Sequence, residues 1–220
     1  MSEKGDLDSV MRWTTESYVS EYLESDDFIY ETSGKLFSSD DNDERKLVGK
    51  FRTYYVDVER AIDEGEPIFE VLDAHSSHLV EYFEPLFGSE APDFSNHLLE
   101  LLDHEVIGNN LLILDRLEIL PQYRGKGLGL SVLRHMIARL SFGASLVALK
   151  PFPLQFETTS DTEAEKKWRA MLRLDQLPTD EDAATEKLCQ YYKRLGFRRL
   201  SGTPMMVMST ARPFPSIEDV

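Results

Sequence analysis

The chain contains 220 residues, of which 41% are hydrophobic and 29% are charged, a balance typical of a globular domain that can bury a core. Its formal net charge of -16 repels phosphate backbones and so excludes nucleic acid as the main partner; the charge serves either solubility or the attraction of a cationic partner. The one cysteine, Cys189, cannot form an intrachain disulfide, which favours a reducing compartment. No apolar run approaches the length of about 18 residues that a membrane span needs, and the N-terminus has no apolar signal-peptide region. We therefore expect a cytoplasmic protein without a membrane partner.

The first half of the chain predicts a mixture of helical and extended segments. Pro67 can begin a helix over 67–74, although the apolar residues of that segment suit a strand equally well. In chain order, the other predicted elements are a helix over 7–23, a strand over 28–37, a polar turn over 38–45, a strand over 47–58, a helix over 76–87 that breaks near Pro85, a loop over 88–92 and a helix over 94–104.

An apolar strand that begins at Ile113, a glycine-rich loop and a helix that runs to Leu140 form the centre of the chain. The loop carries Gly125, Gly127 and Gly129 at every second position. Such a loop between a strand and a helix N-terminus binds anions, because free backbone N–H groups converge there and the helix dipole adds positive potential. The glycine spacing matches neither the dinucleotide fingerprint GxGxxG nor the P-loop GxxxxGK[ST], so we expect another phosphate-bearing ligand.

The last third of the chain predicts a short buried strand, helical segments and two closing strands. The charged segment 157–178 is interpreted as an insertion packed on the surface, and Thr179 and Gly196 have the residue types of a helix start and a helix stop. The other predicted elements are a strand over 145–150, a helix over 179–195, strands over 197–200 and 205–210, and a loose tail over 213–220. Together the elements predict a single layered α+β domain over 1–220.

Two motifs resemble those of the GNAT superfamily of N-acyltransferases. QYRGKG at 122–127 reads Q-x-x-G-x-G and is similar to the acetyl-CoA pyrophosphate loop of that family. YKRLGF at 192–197 resembles the family's Tyr-x-x-Leu-Gly-Phe segment near the end of its fourth helix. The resemblance implies a GNAT-like fold, with a mixed, mostly antiparallel central sheet flanked by helices. It also implies that 108–212 form the acetyl-CoA-binding core and that 1–107 shape the acceptor site.

The resemblance places the donor site on the central strand and loop. The backbone of Leu117 and Ile119 is expected to bind the pantetheine arm as an added strand would. The backbone N–H groups expected to hold the pyrophosphate belong to Arg124, Gly125, Lys126, Gly127, Leu128 and Gly129. Side chains at the glycine positions would keep the backbone away from the phosphates, and Arg124 and Lys126 add positive charge.

The resemblance also places Tyr192 at the position of the general acid that protonates the departing thiolate; its alternative role is helix packing. Tyr191 points about 100 degrees away around the helix and is expected in the core. The general base is Asp115 or Glu118, which strand alternation puts on opposite faces unless a bulge intervenes. Glu118 is preferred because it lies nearer the expected acyl group, and an exposed salt bridge with Arg116 or Arg124 is the alternative role of the carboxylate.

The implied function is an N-acetyltransferase that moves an acetyl group from acetyl-CoA to a primary amine by direct attack in a ternary complex. The acceptor is a small-molecule or peptide amine, and the acidic charge of the chain favours a cationic one. No metal is expected, because His75 and His78 lack a third ligand at diagnostic spacing. The sequence leaves a homodimer open. Thr185 stands where many family members carry a cofactor-binding asparagine, so a non-catalytic acyl-CoA-binding module is the alternative function.

Overall fold

The computed structural model describes residues 9–15, 23–39, 45–158 and 162–215. Within these ranges the chain forms an α+β structure around a seven-stranded sheet. The strands are β1 (Ser9–Thr15), β2 (Ile29–Ser39), β3 (Arg45–Val56), β4 (Leu111–Ile119), β5 (Leu146–Leu149), β6 (Arg198–Arg199) and β7 (Met206–Ser209). Their order across the sheet is β1-β2-β3-β4-β5-β7-β6, and each neighbouring pair is antiparallel except β4 and β5. The predicted α+β class with a mostly antiparallel sheet is therefore confirmed.

Helices cover both faces of this sheet, which produces the layered arrangement. The helices of the described chain are α1 (Val58–Glu64), α2 (Ile68–His75), α3 (Ser77–Val80), α4 (Phe83–Leu86), α5 (Asn96–Leu101), α6 (Leu128–Leu140), α7 (Glu163–Leu172) and α8 (Glu181–Lys193). On one face, Tyr54 and Ile113 belong to a core that includes residues of α1 to α5. On the other face, Phe51 and Leu112 belong to a core that includes residues of α6 and α8. Successive residues along a strand therefore contribute to two separate cores, one on each face of the sheet.

The helix predicted over 7–23 is wrong where the structure describes it, because 9–15 form the edge strand β1. Its residues pair in register with β2, from Ser9 opposite Ser38 to Thr15 opposite Thr32. Val10, Trp13, Thr14 and Thr15 are β-branched or aromatic residues that favour a strand. Pairing with a long neighbouring strand therefore outweighs the helical spacing. Residue 23 is described and is not helical, whereas residues 7–8 and 16–22 of that predicted helix, and residues 40–44 of the predicted turn, lie outside the described residues.

The segment that begins at Pro67 is helical, which settles the alternative that the sequence left open. In α2 the buried residues Ile68, Val71 and Leu72 follow the spacing of one helix face. The preceding helix α1 was not predicted. The Asp57 carboxylate accepts a hydrogen bond from the backbone N–H of Arg60 and so caps α1, and for this reason the strand predicted over 47–58 ends at Val56.

The remaining helix predictions were too long in the first half and nearly right in the second. The predicted helix over 76–87 is divided into α3 and α4, and the one over 94–104 is confined to α5. Helix α8 is capped by Asp180, whose carboxylate accepts the N–H of Ala183 at 2.7 Å, and not by Thr179. No helix within the described residues combines the length and apolar character that crossing a membrane would require.

Candidate functional site

Strands β4 and β5 pair over only part of their length, and a cavity opens where they diverge. The parallel pairs are Leu111 with Leu146, Leu112 with Val147 and Ile113 with Ala148. Beyond Ile113, β4 continues to Ile119 without β5 beside it. The cavity has a volume of about 590 Å³. It is lined by 114–119 of β4, by Leu149 at the end of β5, by 150 and 152–155 after β5, and by residues of α8.

A β-bulge in β4 decides which side chains face this cavity together. Arg52 pairs with Arg116 whereas the next residue of β3, Thr53, pairs with Leu114, so Asp115 is the extra residue. The bulge places Asp115 on the same face as Arg116 and Glu118, because Arg52 pairs with Arg116 and binds Asp115. Asp115 and Glu118 therefore do not lie on the opposite faces that plain strand alternation predicts, because a bulge intervenes.

The Asp115 carboxylate lies between the basic side chains of Arg52 and His78, and only 5% of its side-chain surface is exposed. Its Oδ2 accepts a hydrogen bond from Nε of Arg52 at 2.7 Å, and its Oδ1 lies 2.7 Å from Nε2 of His78. Burial alone would raise the pKa of Asp115. The hydrogen bond with His78 and the charge of Arg52 outweigh this effect and lower the pKa below its ordinary value of 3.8.

Asp115→Asn is expected to make the free energy of unfolding less dependent on pH in the acidic range. Because the folded-state pKa is lowered, the ionised Asp115 stabilises the fold fully above 3.8 and loses that contribution as the pH falls through the folded-state value. The variant should be less stable by about 2 kcal/mol at pH 7 and should lose less stability than wild type between about pH 5 and pH 2. Urea unfolding at a series of pH values measures both effects. Asp63→Asn, on exposed α1, removes one charge without breaking an ion pair among the described residues and should follow the wild-type profile.

Glu118, the preferred general base, is buried and bound to two donors. Its Oε2 accepts the indole N–H of Trp168 at 2.5 Å and its Oε1 accepts Nη1 of Arg116 at 3.1 Å. Arg116 also binds the Glu157 carboxylate, which in turn binds Arg169. The predicted salt bridge of Glu118 is therefore present with Arg116 and not with Arg124, but it is buried and not exposed as predicted.

The segment predicted as a surface insertion, 157–178, forms part of the cavity wall. Trp168 and Leu172 of α7 are buried against Leu120, at the end of β4. Leu172, Leu174 and Leu177 line the cavity together with residues of β4. Because its aromatic and aliphatic side chains are buried at the site, this segment does more than cover the outside of the fold.

The glycine-rich loop leads from β4 into α6 with the backbone conformation that glycine permits. Gly125 and Gly127 have φ angles of +73° and +81°, in the left-handed region that strains residues with a Cβ atom. Helix α6 begins at Leu128, and among the described residues no side chain caps it, so its first backbone N–H groups are available to an anion. Lys126 is exposed beside them.

The Arg124 side chain joins three elements. Its Nε donates to the carbonyl oxygen of Ile119 at 2.7 Å and its Nη2 donates to the carbonyl oxygen of Leu172 at 2.8 Å. Burial lowers the pKa of the guanidinium. The side chain thus connects the end of β4, the loop and α7. The carbonyl oxygen of Ile119 therefore already accepts a hydrogen bond from within the protein.

The two tyrosines near the end of α8 lie in different surroundings. A Cβ atom on Gly129 would lie 2.2 Å from the Tyr191 hydroxyl, so glycine at this position lets α8 approach the start of α6. Tyr192 packs against Phe197, with ring centroids 6.2 Å apart, and lines the cavity. Tyr191 also lines it, so the expectation that Tyr191 lies in the core is only partly met. Burial raises the pKa of Tyr191 to about 12 and raises that of Tyr192 as well.

Two residues of the cavity wall, His78 and Tyr82, were not predicted as site residues. Their rings are in edge contact, with centroids 6.2 Å apart. Burial is the main cause that raises the pKa of Tyr82, and the charge of Asp115 adds to it. Their spacing of four residues, typical of one helix face, is the local signal that could have grouped them.

The fold brings most predicted site residues to one cavity. Those that line it are Asp115, Leu117, Glu118, Ile119, Arg124 and Tyr192. The residues that follow Arg124 in the chain, Gly125, Lys126, Gly127, Leu128 and Gly129, are not part of its wall. No protein-family model, curated protein or solved structure matches this chain.

Proposed function

We propose that this protein is a GNAT-type N-acetyltransferase that uses acetyl-CoA and a primary amine. The observation that carries the proposal is the divergence of β4 from β5, which leaves the β4 edge beyond Ile113 open at a cavity. An extended pantetheine arm can add to such an edge by main-chain hydrogen bonds, as a peptide strand does. The backbone of Leu117 would contact the arm; the carbonyl oxygen of Ile119, which was also predicted to bind it, already accepts a hydrogen bond from Nε of Arg124.

The loop after β4 supports the same donor. An arm that runs along β4 ends at the uncapped start of α6, where backbone N–H groups and the helix dipole favour a pyrophosphate. Left-handed Gly125 and Gly127 keep the backbone free of side chains there. Exposed Lys126 supplies a positive charge beside them.

Tyr192 is the proposed general acid. The acceptor nitrogen attacks the thioester carbonyl, and a backbone N–H of β4 stabilises the oxyanion. The carbon–sulfur bond then breaks, and the Tyr192 hydroxyl gives its proton to the departing thiolate. Burial raises the pKa of Tyr192 above its ordinary value of 10.0, so the phenol is protonated at neutral pH.

The ion pairs of the cavity wall limit the class of amine that we propose as the acceptor. Asp115 is paired with Arg52, and Glu118 and Glu157 are both paired with Arg116. Among the described residues, every carboxylate that lines the cavity is thus paired with a cation. The acidic excess of the whole chain therefore adds no unpaired carboxylate to this wall. We therefore propose an amine with one cationic group and an apolar body in preference to a polyamine.

Acetyl-CoA binding and thiol release test the proposal directly. Isothermal titration should show acetyl-CoA binding, and a panel of phenethylamine, spermidine and a lysine-containing peptide should show thiol release with at least one amine.

Lys126→Glu should raise the Kd for acetyl-CoA about tenfold, because it places a negative charge beside the phosphates. Arg139→Glu, which makes the same charge change at the exposed far end of α6, is the control and should bind normally. Absence of acetyl-CoA binding in wild type would remove the proposal.

A second candidate is a non-catalytic acyl-CoA-binding module. It is favoured by one observation: Asp115 and Glu118, the carboxylates available on β4 as a base, each already bind two donors. Tight acetyl-CoA binding without thiol release for any amine would support this candidate over the enzyme.

A further inference from the structure

The His78 imidazole is held at the cavity by a buried carboxylate. Its Nε2 lies 2.7 Å from Oδ1 of Asp115, and Arg52 binds the other oxygen of the same carboxylate at 2.7 Å. The two side chains differ in exposure: 5% for Asp115 and 44% for His78. The charged anchor is thus inside the protein and the ring is open to a ligand in the cavity.

This contact determines which ring nitrogen can accept a proton. A carboxylate can only accept, so the neutral ring of His78 donates from Nε2 and carries its lone pair on Nδ1. No group among the described residues hydrogen-bonds to Nδ1. The arrangement is that of a base whose orientation and tautomer are set by a buried aspartate.

The carboxylates predicted as the base are less suitable than this ring. One oxygen of Asp115 is hydrogen-bonded to Arg52 and the other to His78. The Glu118 carboxylate is hydrogen-bonded to Arg116 and to the Trp168 indole. Either would have to give up an existing hydrogen bond, inside the protein, to take a proton from the amine. His78 would give up none.

We propose that His78 is the general base that deprotonates the acceptor amine, with Asp115 as its positioning residue. The inference rests on the proposed N-acetyltransferase function. It adds a catalytic residue and replaces both predicted carboxylates in that role. The base on α3 and the acid Tyr192 on α8 then approach the same cavity from different elements.

The proton balance is complete with these two groups. Nδ1 of His78 takes one proton from the ammonium, and the neutral amine forms a nitrogen–carbon bond to the thioester carbonyl. The carbon–sulfur bond breaks with its electron pair on sulfur, and Tyr192 protonates the thiolate. The new amide nitrogen loses its second proton, which restores the Tyr192 hydroxyl through solvent. His78 releases its proton to solvent, so that the products are the amide, CoA thiol and one proton.

His78→Ala with chemical rescue tests the inference. With acetyl-CoA and the best amine of the panel, the variant should lower kcat/KM for the amine about 100-fold and leave the Kd for acetyl-CoA within about twofold. Added imidazole should restore activity in His78→Ala and should have no such effect on wild type or Tyr192→Phe. A merely structural role would not respond to imidazole.

The chain offers a matched control in a second histidine–aspartate pair. Nδ1 of His75 lies 2.5 Å from Oδ1 of Asp26, and His75 does not line the cavity. His75→Ala should therefore keep wild-type kinetics. His78→Gln, which retains the side-chain size and a hydrogen-bond donor, should fold and bind acetyl-CoA and should still lose activity.

The outcomes separate the two proposals. If wild type releases thiol but either His78 variant keeps kcat/KM within about threefold of wild type, His78 is not the base and the proposed function stands. Loss of activity that imidazole does not restore also overturns the role of His78. If wild type releases no thiol with any amine, the proposed function and the base are overturned together.

Discussion

Tyr192→Phe is expected to lower the turnover number for thiol release on the order of 10³-fold, with the Kd for acetyl-CoA unchanged. The substitution removes one hydroxyl from the cavity wall and keeps the ring that packs against Phe197. Without a proton donor the thiolate must leave unprotonated, so the loss falls on the transition state and not on donor binding. Steady-state kinetics and isothermal titration on the same preparation measure the two quantities.

Tyr191→Phe is the matched control for this experiment. It removes the neighbouring hydroxyl, which lies against Gly129 at the start of α6. Turnover in this variant should stay within about threefold of wild type. Equal losses in the two variants would show that the phenol of Tyr192 has no special part in the reaction.

Arg116→Met is expected to lower the free energy of unfolding by about 3–5 kcal/mol. Arg116 is the shared partner of Glu118 and Glu157, so one substitution leaves two carboxylates without that partner. Glu118 is the more deeply buried of the two, and a buried charge without its counter-ion is strongly destabilising. Urea unfolding at neutral pH measures the change.

Arg173→Met provides the comparison for an exposed ion pair. Arg173 binds Asp175 in a pair with more than half of each side chain exposed, so its loss should cost at most about 1 kcal/mol. The double variant Arg116→Met/Glu118→Gln should recover part of the stability that Arg116→Met loses, because the unpaired buried charge is gone. Similar small losses in both single variants would contradict the importance of the buried network.

The central elements could be predicted because their signals are local. The glycine loop and α6 follow from residue spacing within the stretch from Ile113 to Leu140. Apolar alternation and β-branched residues likewise identify β2 and β3. The helix α1 also has local signals, Asp57 before it and Gly65 after it, but the strand predicted over 47–58 included Asp57.

Other features depend on distant partners and leave no local signal. Edge strand β1 exists because β2 offers an edge to pair with. The bulge at Asp115 is visible only in the register of β4 against β3. His78 reaches Asp115 across 37 positions of sequence, a distance at which residue spacing carries no information. The position of the glycine-rich loop and the contribution of β4 to the cavity wall could thus be predicted from the sequence, but the contribution of His78 could not.

The pairing of β3 with β4 also has a kinetic consequence. Val56 pairs with Leu111, so the whole helical segment 57–110 must close as a loop before these two strands can join. By the (3/2)RT ln n relation this closure costs about 3.5 kcal/mol plus a constant, before any contact compensates for it. Hairpin β2–β3 needs no such closure and can form early. We therefore expect the pairing of β3 with β4, at the centre of the sheet, to form later than hairpin β2–β3.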